Sequence, residues 1–116
     1  MNKVTLSFLF CIVLFSCKDK DEPVTVCGVK DPANDLAWLK AVIDDLEKSS
    51  VRQYFYVSRA EYNHTVVFTV GNCCPMCNTY TPVYKCDGTQ MQNPDYSQIK
   101  NSVVIWKPDD FLCVLI

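Results

Sequence analysis

The chain has 116 residues, 49% hydrophobic and 21% charged, with 11 basic and 13 acidic side chains. That length suits one compact domain, and the near balance of charge excludes the basic face that nucleic-acid binding requires. Eight cysteines are the compositional outlier, and in so short a chain they point to export and disulfides.

Lys3 precedes a mostly apolar run from Val4 to Phe15, followed by Leu14-Phe15-Ser16-Cys17 and then Lys18-Asp19-Lys20-Asp21-Glu22. An apolar core of about a dozen residues is too short to cross a bilayer of ~30 Å, so residues 1–16 are expected to form a cleaved secretory signal. Cys17 directly after Ser16 resembles the lipobox of bacterial lipoproteins, which implies cleavage before Cys17 and a diacylglycerol on its thiol. The membrane is then a partner through that lipid, because two or more acyl chains turn marginal binding into stable anchoring. Residues 17–25, the lipidated cysteine and a charged run with almost no apolar content, are expected to be a solvated tether. A lysine followed by acidic residues at this point also resembles the export signal that carries some Gram-negative lipoproteins to the cell surface. The resemblance implies an outer-membrane lipoprotein of the bacterial envelope, with display on the surface and a periplasm-facing anchor as the two alternatives.

Removing the signal leaves 100 residues with a net charge of about −3, and residues 26–116 are expected to form a single domain. Gly28 allows a turn in Val26-Cys27-Gly28-Val29. Asp31-Pro32 marks a helix start, since an aspartate accepts from free N–H groups and a first-turn proline loses no bond; Asn34 is an alternative cap. Leu36, Leu39, Ile43 and Leu46 recur at spacings of 3, 4 and 3, which predicts a core-facing helix over about 33–48 with Trp38 and Val42 beside the stripe.

The period then changes to 2. Tyr54, Tyr56, Ser58, Ala60 and Tyr62 fall on one side of a strand and Phe55, Val57, Arg59 and Glu61 on the other; Asn63-His64 turns the chain into a second strand from Thr65 to Val70. Pro82 to Cys86 reads as a third strand ending at Asp87-Gly88, with a short return over 89–92, and Ser102 to Trp106 as another. Phe111 to Ile116 is an apolar tail expected to pack on the sheet, where its exposure is avoided. Successive strands without helical crossovers predict an α+β domain: one N-terminal helix packed on a small antiparallel β-sheet and stapled by disulfides.

With Cys11 lost and Cys17 lipidated, Cys27, Cys73, Cys74, Cys77, Cys86 and Cys113 remain, an even number. Neighbouring Cα atoms are ~3.8 Å apart, closer than a disulfide prefers, so Cys73 and Cys74 are not expected to bond to each other. If Thr65–Asn72 pairs with Tyr80–Cys86, Cys86 lies roughly 20 Å from the cluster and needs Cys27 or Cys113. Three cysteines cluster and three do not; if all six pair, one or three bonds tie the cluster to the rest.

The alternative use of Cys73, Cys74 and Cys77 is thiol redox or metal-binding chemistry. Cys74-Pro75-Met76-Cys77 has the C-x-x-C spacing of a redox pair, but the β-like Asn78 to Pro82 stands where a helix would be needed to activate the thiol. Zinc requires four Cys or His ligands, usually in two short-spaced pairs, and one group is present. His64, the only histidine, falls in a turn, and no nucleophile elbow accompanies it. Asn63-His64-Thr65 fits the glycosylation pattern, which a bacterial lipoprotein ordinarily leaves unmodified. Six tyrosines suit either a recognition face or a sheet surface.

Val26-Cys27-Gly28-Val29, Asp31-Pro32, Trp38-Leu39, Cys73-Cys74, Val83 to Gly88 and Ile105-Trp106 together resemble small cysteine-containing bacterial envelope lipoproteins. That likeness implies one cysteine-bearing domain and no activity. The expectation is therefore a non-enzymatic binding module without cofactor or metal, whose partner is another envelope protein or a surface polymer.

Overall fold

A computed structural model describes residues 25–77 and 80–114. The expected signal, Cys17 and nearly all of the tether lie outside the described residues.

Cys27 and Gly28, at φ 55° and 78°, make a two-residue turn closed by Val26 N–H to Val29 O at 2.8 Å and its reciprocal at 3.1 Å. Two helical segments follow, α1 (Pro32–Asp35) and α2 (Ala37–Glu47). The single helix expected over 33–48 is thus broken at Leu36, whose ψ of 109° is extended. Periodicity misses this break because Leu36 N–H still reaches Pro32 O at 3.1 Å and Lys40 N–H reaches Leu36 O at 2.9 Å. Asp31 stands at the N-cap with Pro32 behind it, but its carboxylate accepts from Asn34 Nδ2 at 2.6 Å instead of from a helix N–H. Asp35 Oδ2 accepts from the Asp31 N–H at 3.1 Å and fastens the same turn from its other end.

β1 (Phe55–Tyr62) and β2 (Thr65–Asn72) pair along their whole length, Phe55 opposite Asn72 and Tyr62 opposite Thr65. Asn63 and His64 both have positive φ, 46° and 65°, the requirement of a two-residue loop matched to strand twist. β3 (Val83–Lys85) adds to β2, and β4 (Ile99–Trp106) adds to the opposite edge of β1. The order β3-β2-β1-β4 is that of a Greek key, in which the last strand returns beside the first. The edge of β3 facing away from β2 is already used: Lys85 N–H bonds Thr89 O at 2.9 Å and Met91 N–H bonds Val83 O at 2.8 Å. β4 takes the open edge of β1. It does so with two register shifts, one of them around Asn101 at φ 55°, whose Nδ2 donates to Glu61 Oε2 at 3.1 Å, as a bulge that twists an edge strand.

Leu39 and Ile43 bury the helix on Val57, Phe68 and Val70, with Val26 completing the cluster. The other face is covered as well, where Ala60, Val67 and Val83 pack beneath Tyr62, Met91 and Ile99. Val67 to Gly71 are consequently buried without alternation, as a central strand covered on both sides should be. The tail is fastened by Leu112 N–H to Gln53 O at 2.9 Å and by the Phe111 ring, edge-on to Tyr56 at 5.9 Å, but the Leu112 and Val114 side chains stay 62% and 86% exposed, so the expected packing of the apolar tail is met at Phe111 and not at these two. Tyr56 lies across its cross-strand partner Gly71, where a Cβ would fall 2.4 Å from the ring. Only glycine leaves that strip of β2 open to an aromatic side chain.

Candidate functional site

The six cysteines form three disulfides. Cys27 bonds Cys86, Cys73 bonds Cys113, and Cys74 bonds Cys77, with sequence separations of 59, 40 and 3. The neighbours Cys73 and Cys74 take different partners, one bond ties the cluster to the rest, and Cys86 finds Cys27. The cluster therefore presents three sulfurs already bonded, not three thiols, and among the described residues no group of three or more His, Cys, Asp or Glu is placed to hold a metal ion.

Cys27–Cys86 joins the lead segment to the turn that caps β3. The same turn is seated on Trp38, whose Nε1–H donates to Cys86 O at 2.8 Å while the ring meets Phe68 edge-on at 5.7 Å and Tyr84 at 5.5 Å. Gly88 is needed there twice over, since its φ is +86° and an added Cβ would stand 2.8 Å from Trp38 Cγ. Thr89, through backbone and side-chain hydrogen bonds, holds the carboxyl of Asp87 below the usual 3.8, and Ser97 does the same for Asp95. Both lowered values contribute stability above the ordinary carboxylate range, and it is lost as pH falls through the folded values.

The second feature is an open groove of about 480 Å³ between α2 and the β2–β3 side of the sheet. Val42 and Leu46 form its helical wall, Phe55 and Val70 its floor, and Pro82, Tyr84 and Tyr80 its far side, with Asp45 and Asn72 adding polar groups. It exists because β3 is three residues long and pairs with Val67–Thr69, with one further bond from Val70 N–H to Pro82 O at 3.2 Å, whereas β2 runs on to Asn72. Pro82 lacks the N–H that would extend the ladder. The floor beyond Val70 is therefore left uncovered by β3.

The tyrosines divide between tasks. Tyr62 and Tyr96 fasten the connection from β3 to β4, Tyr62 Oη accepting from Asp95 N–H at 3.2 Å and Tyr96 donating to Thr81 O at 2.7 Å. Desolvation, and then Tyr80 beside it, raise the Tyr96 phenol above its usual 10.0, so that hydroxyl keeps its proton and goes on donating. Tyr84 lines the groove, and Tyr80 stands at its rim, 51% exposed, with its Oη accepting from Gln90 Nε2 at 2.8 Å. His64 is exposed in the β1–β2 turn, next to Asn63 and beside Glu61 and Lys100.

A charged hollow lies on another side of the C-terminal end of α2, where Asp44, Glu47, Lys48 and Arg52 face Asp109 and Asp110, with Arg52 Nε 3.2 Å from Asp110 Oδ2. Its Arg52–Asp110 pair is half-exposed at both ends, and such a pair contributes little. No protein-family model, no curated protein and no solved structure matches this chain.

Sequence reasoning placed Tyr80 and Tyr84 among candidate recognition residues but missed the groove itself. Its walls come from α2, β1, β2, β3 and the segment before β3, five pieces whose adjacency no local spacing encodes. The one legible signal was Pro82, a residue that ends a ladder.

Proposed function

We propose that this protein is a lipid-anchored lipoprotein of the bacterial envelope that acts by binding, holding an extended segment of another envelope protein or a surface polymer in the groove between its helix and its sheet. The observation that carries this reading is the groove's lining: rigid aromatic and aliphatic side chains with a few polar groups at the margin, in a volume within the range of roughly 300 to 1,000 Å³ common to ligand sites. Tyrosines suit such a face because each offers a large apolar ring and a polar end at little entropic cost. The net negative charge and Asp45 in the wall disfavour phosphate-rich ligands. Residues 17–25 serve as the tether, and the helix, coming first in the domain, places its groove wall close along the chain to the anchor. The acidic stretch after Lys18 supports display at the outer-membrane surface.

Photo-crosslinking in the protein's own envelope tests the groove. A crosslinking side chain at Tyr80 is compared with one at Val103, which is equally exposed, 51% against 50%, but lies on the opposite edge strand. Adducts are expected at position 80 and not at 103. Equal labelling at both positions, or none at either, removes the groove from the proposal.

The anchor is tested separately. Cys17→Ala should abolish incorporation of labelled fatty acid and leave the protein uncut or released from membranes. Undiminished labelling of the variant would end the lipoprotein assignment.

A further inference from the structure

The three disulfides do different work. Cys27–Cys86 and Cys73–Cys113 hold together segments 59 and 40 residues apart, joining the lead turn to the Trp38 seat and the tail to the end of β2. Cys74–Cys77 closes a separation of 3. It joins no two elements of the fold: Cys74 follows the end of β2, and the loop it closes is a turn with Cys77 N–H bonded to Cys74 O at 3.3 Å. Pro75 is exposed and Met76 is 94% exposed.

We propose that Cys74–Cys77 is a thiol–disulfide exchange site that accepts two electrons from a dithiol, while the other two disulfides remain closed. A disulfide and a fold stabilise one another reciprocally, so a bond that lowers the unfolded chain's entropy greatly is itself held oxidised by the folded state. For separations of 59 and 40 that reinforcement is large. For a separation of 3 it is small, because the unfolded chain already keeps the two sulfurs within reach. In the folded chain the long-range partners stay in register when reduced, because Tyr54 O accepts from both Cys73 N–H and the Cys113 thiol position and Trp38 holds Cys86 O, whereas Cys77 is placed beside Cys74 by its N–H bond to Cys74 O within an exposed turn, so the long-range pairs re-close more readily.

Access supplies the direction. Cys74 is 6% exposed and Cys77 is half-buried, so the incoming thiolate reaches the Cys77 sulfur. Its attack forms a mixed disulfide there and breaks the Cys74–Cys77 bond; the Cys74 sulfur leaves with the electron pair and takes a proton. The dithiol's second thiolate then attacks its own sulfur in the mixed disulfide, closing the dithiol's disulfide and releasing Cys77, which also takes a proton. Two electrons and two protons pass from the dithiol to the pair. No helix follows Cys77 among the described residues, so the chemistry expected is that of an exchangeable acceptor, without the activated thiolate of a dedicated oxidoreductase.

The test equilibrates the intact mature protein with dithiothreitol at graded reduced-to-oxidised ratios, alkylates it and maps the label by mass spectrometry. Cys74 and Cys77 should be labelled at lower ratios than any other pair. A peptide carrying a Cys-X-X-Cys dithiol should become oxidised stoichiometrically by this protein and not by a Cys74→Ser/Cys77→Ser variant; glutathione in place of the peptide distinguishes a small thiol from a protein-borne dithiol as the reductant. The double variant should move the thermal midpoint less than half as far as Cys27→Ser/Cys86→Ser. Reduction of Cys74–Cys77 together with or after the other two pairs, or a peptide left reduced by the wild-type protein, overturns the proposal.

Discussion

Leu39→Ala is expected to lower the free energy of unfolding by about 2 to 5 kcal/mol, among the largest effects any single truncation in this domain should have. Leu39 has no exposed surface and sits on the helix face that meets Val57, Phe68 and Val70, with Val26 closing the cluster from the lead segment. Truncation there removes buried methyl groups and leaves a cavity between two elements that cannot collapse freely. The sheet is held by three ladders, and the helix is held at Trp38 by the indole hydrogen bond to Cys86 and by rings on two strands. Ile43→Ala, at 5% exposure in the same stripe, should fall in the same range. Leu46→Ala should cost less, because Leu46 is half-buried at the groove and water can enter the space it vacates. Urea unfolding with the disulfides intact, followed by tryptophan fluorescence, measures all three. A loss below about 0.5 kcal/mol for both Leu39→Ala and Ile43→Ala, the range of surface substitutions, would mean that this helix face is not the one buried.

That stripe was legible because an α-helix repeats every 3.6 residues and a core needs one face of it. The hairpin was legible for a similarly local reason: two residues that tolerate positive φ separated a run of period 2 from a second run rich in β-branched residues. The break at Leu36 was not. A single extended residue between two helical turns leaves the hydrophobic spacing nearly intact, and it is the proline-started first turn that ends early. Strand order was equally hidden. The 13 residues between Lys85 and Ile99 are long enough to place β4 on either edge, and the choice depends on residues 89–91 having already occupied the outer side of β3. Those same residues, with Ile99, cover the second face of the sheet, so an expected one-sided sheet is buried on both. The cysteines were partly legible, since the ~3.8 Å between neighbouring Cα atoms and the length of a strand narrowed the pairings. Choosing between Cys27 and Cys113 as the partner of Cys86 required knowing that the lead segment turns back over Trp38.

Removing the long-range disulfides should be as damaging as removing core side chains. Cys27→Ser/Cys86→Ser and Cys73→Ser/Cys113→Ser are each expected to cost about 4 kcal/mol, the closure entropy of loops of this length, within the range of about 2 to 5 typical of small exported domains. The two losses should differ in kind. Without Cys27–Cys86 the lead segment loses its hold on the turn under Trp38, and Val26 withdraws from the core cluster, so unfolding should become less cooperative at the helix. Without Cys73–Cys113 the sheet keeps its ladders, but the tail is left with Leu112 on Gln53 and Phe111 on Tyr56, and it should become the first site of proteolysis. Mapping by proteolysis without reduction should recover the 73–77 loop joined to the peptide containing Cys113, and Cys27 joined to Cys86. Serine pairs that unfold at the same urea concentration as the parent, or a map joining Cys86 to the loop, would contradict the arrangement in which one staple holds the helix side and the other holds the tail.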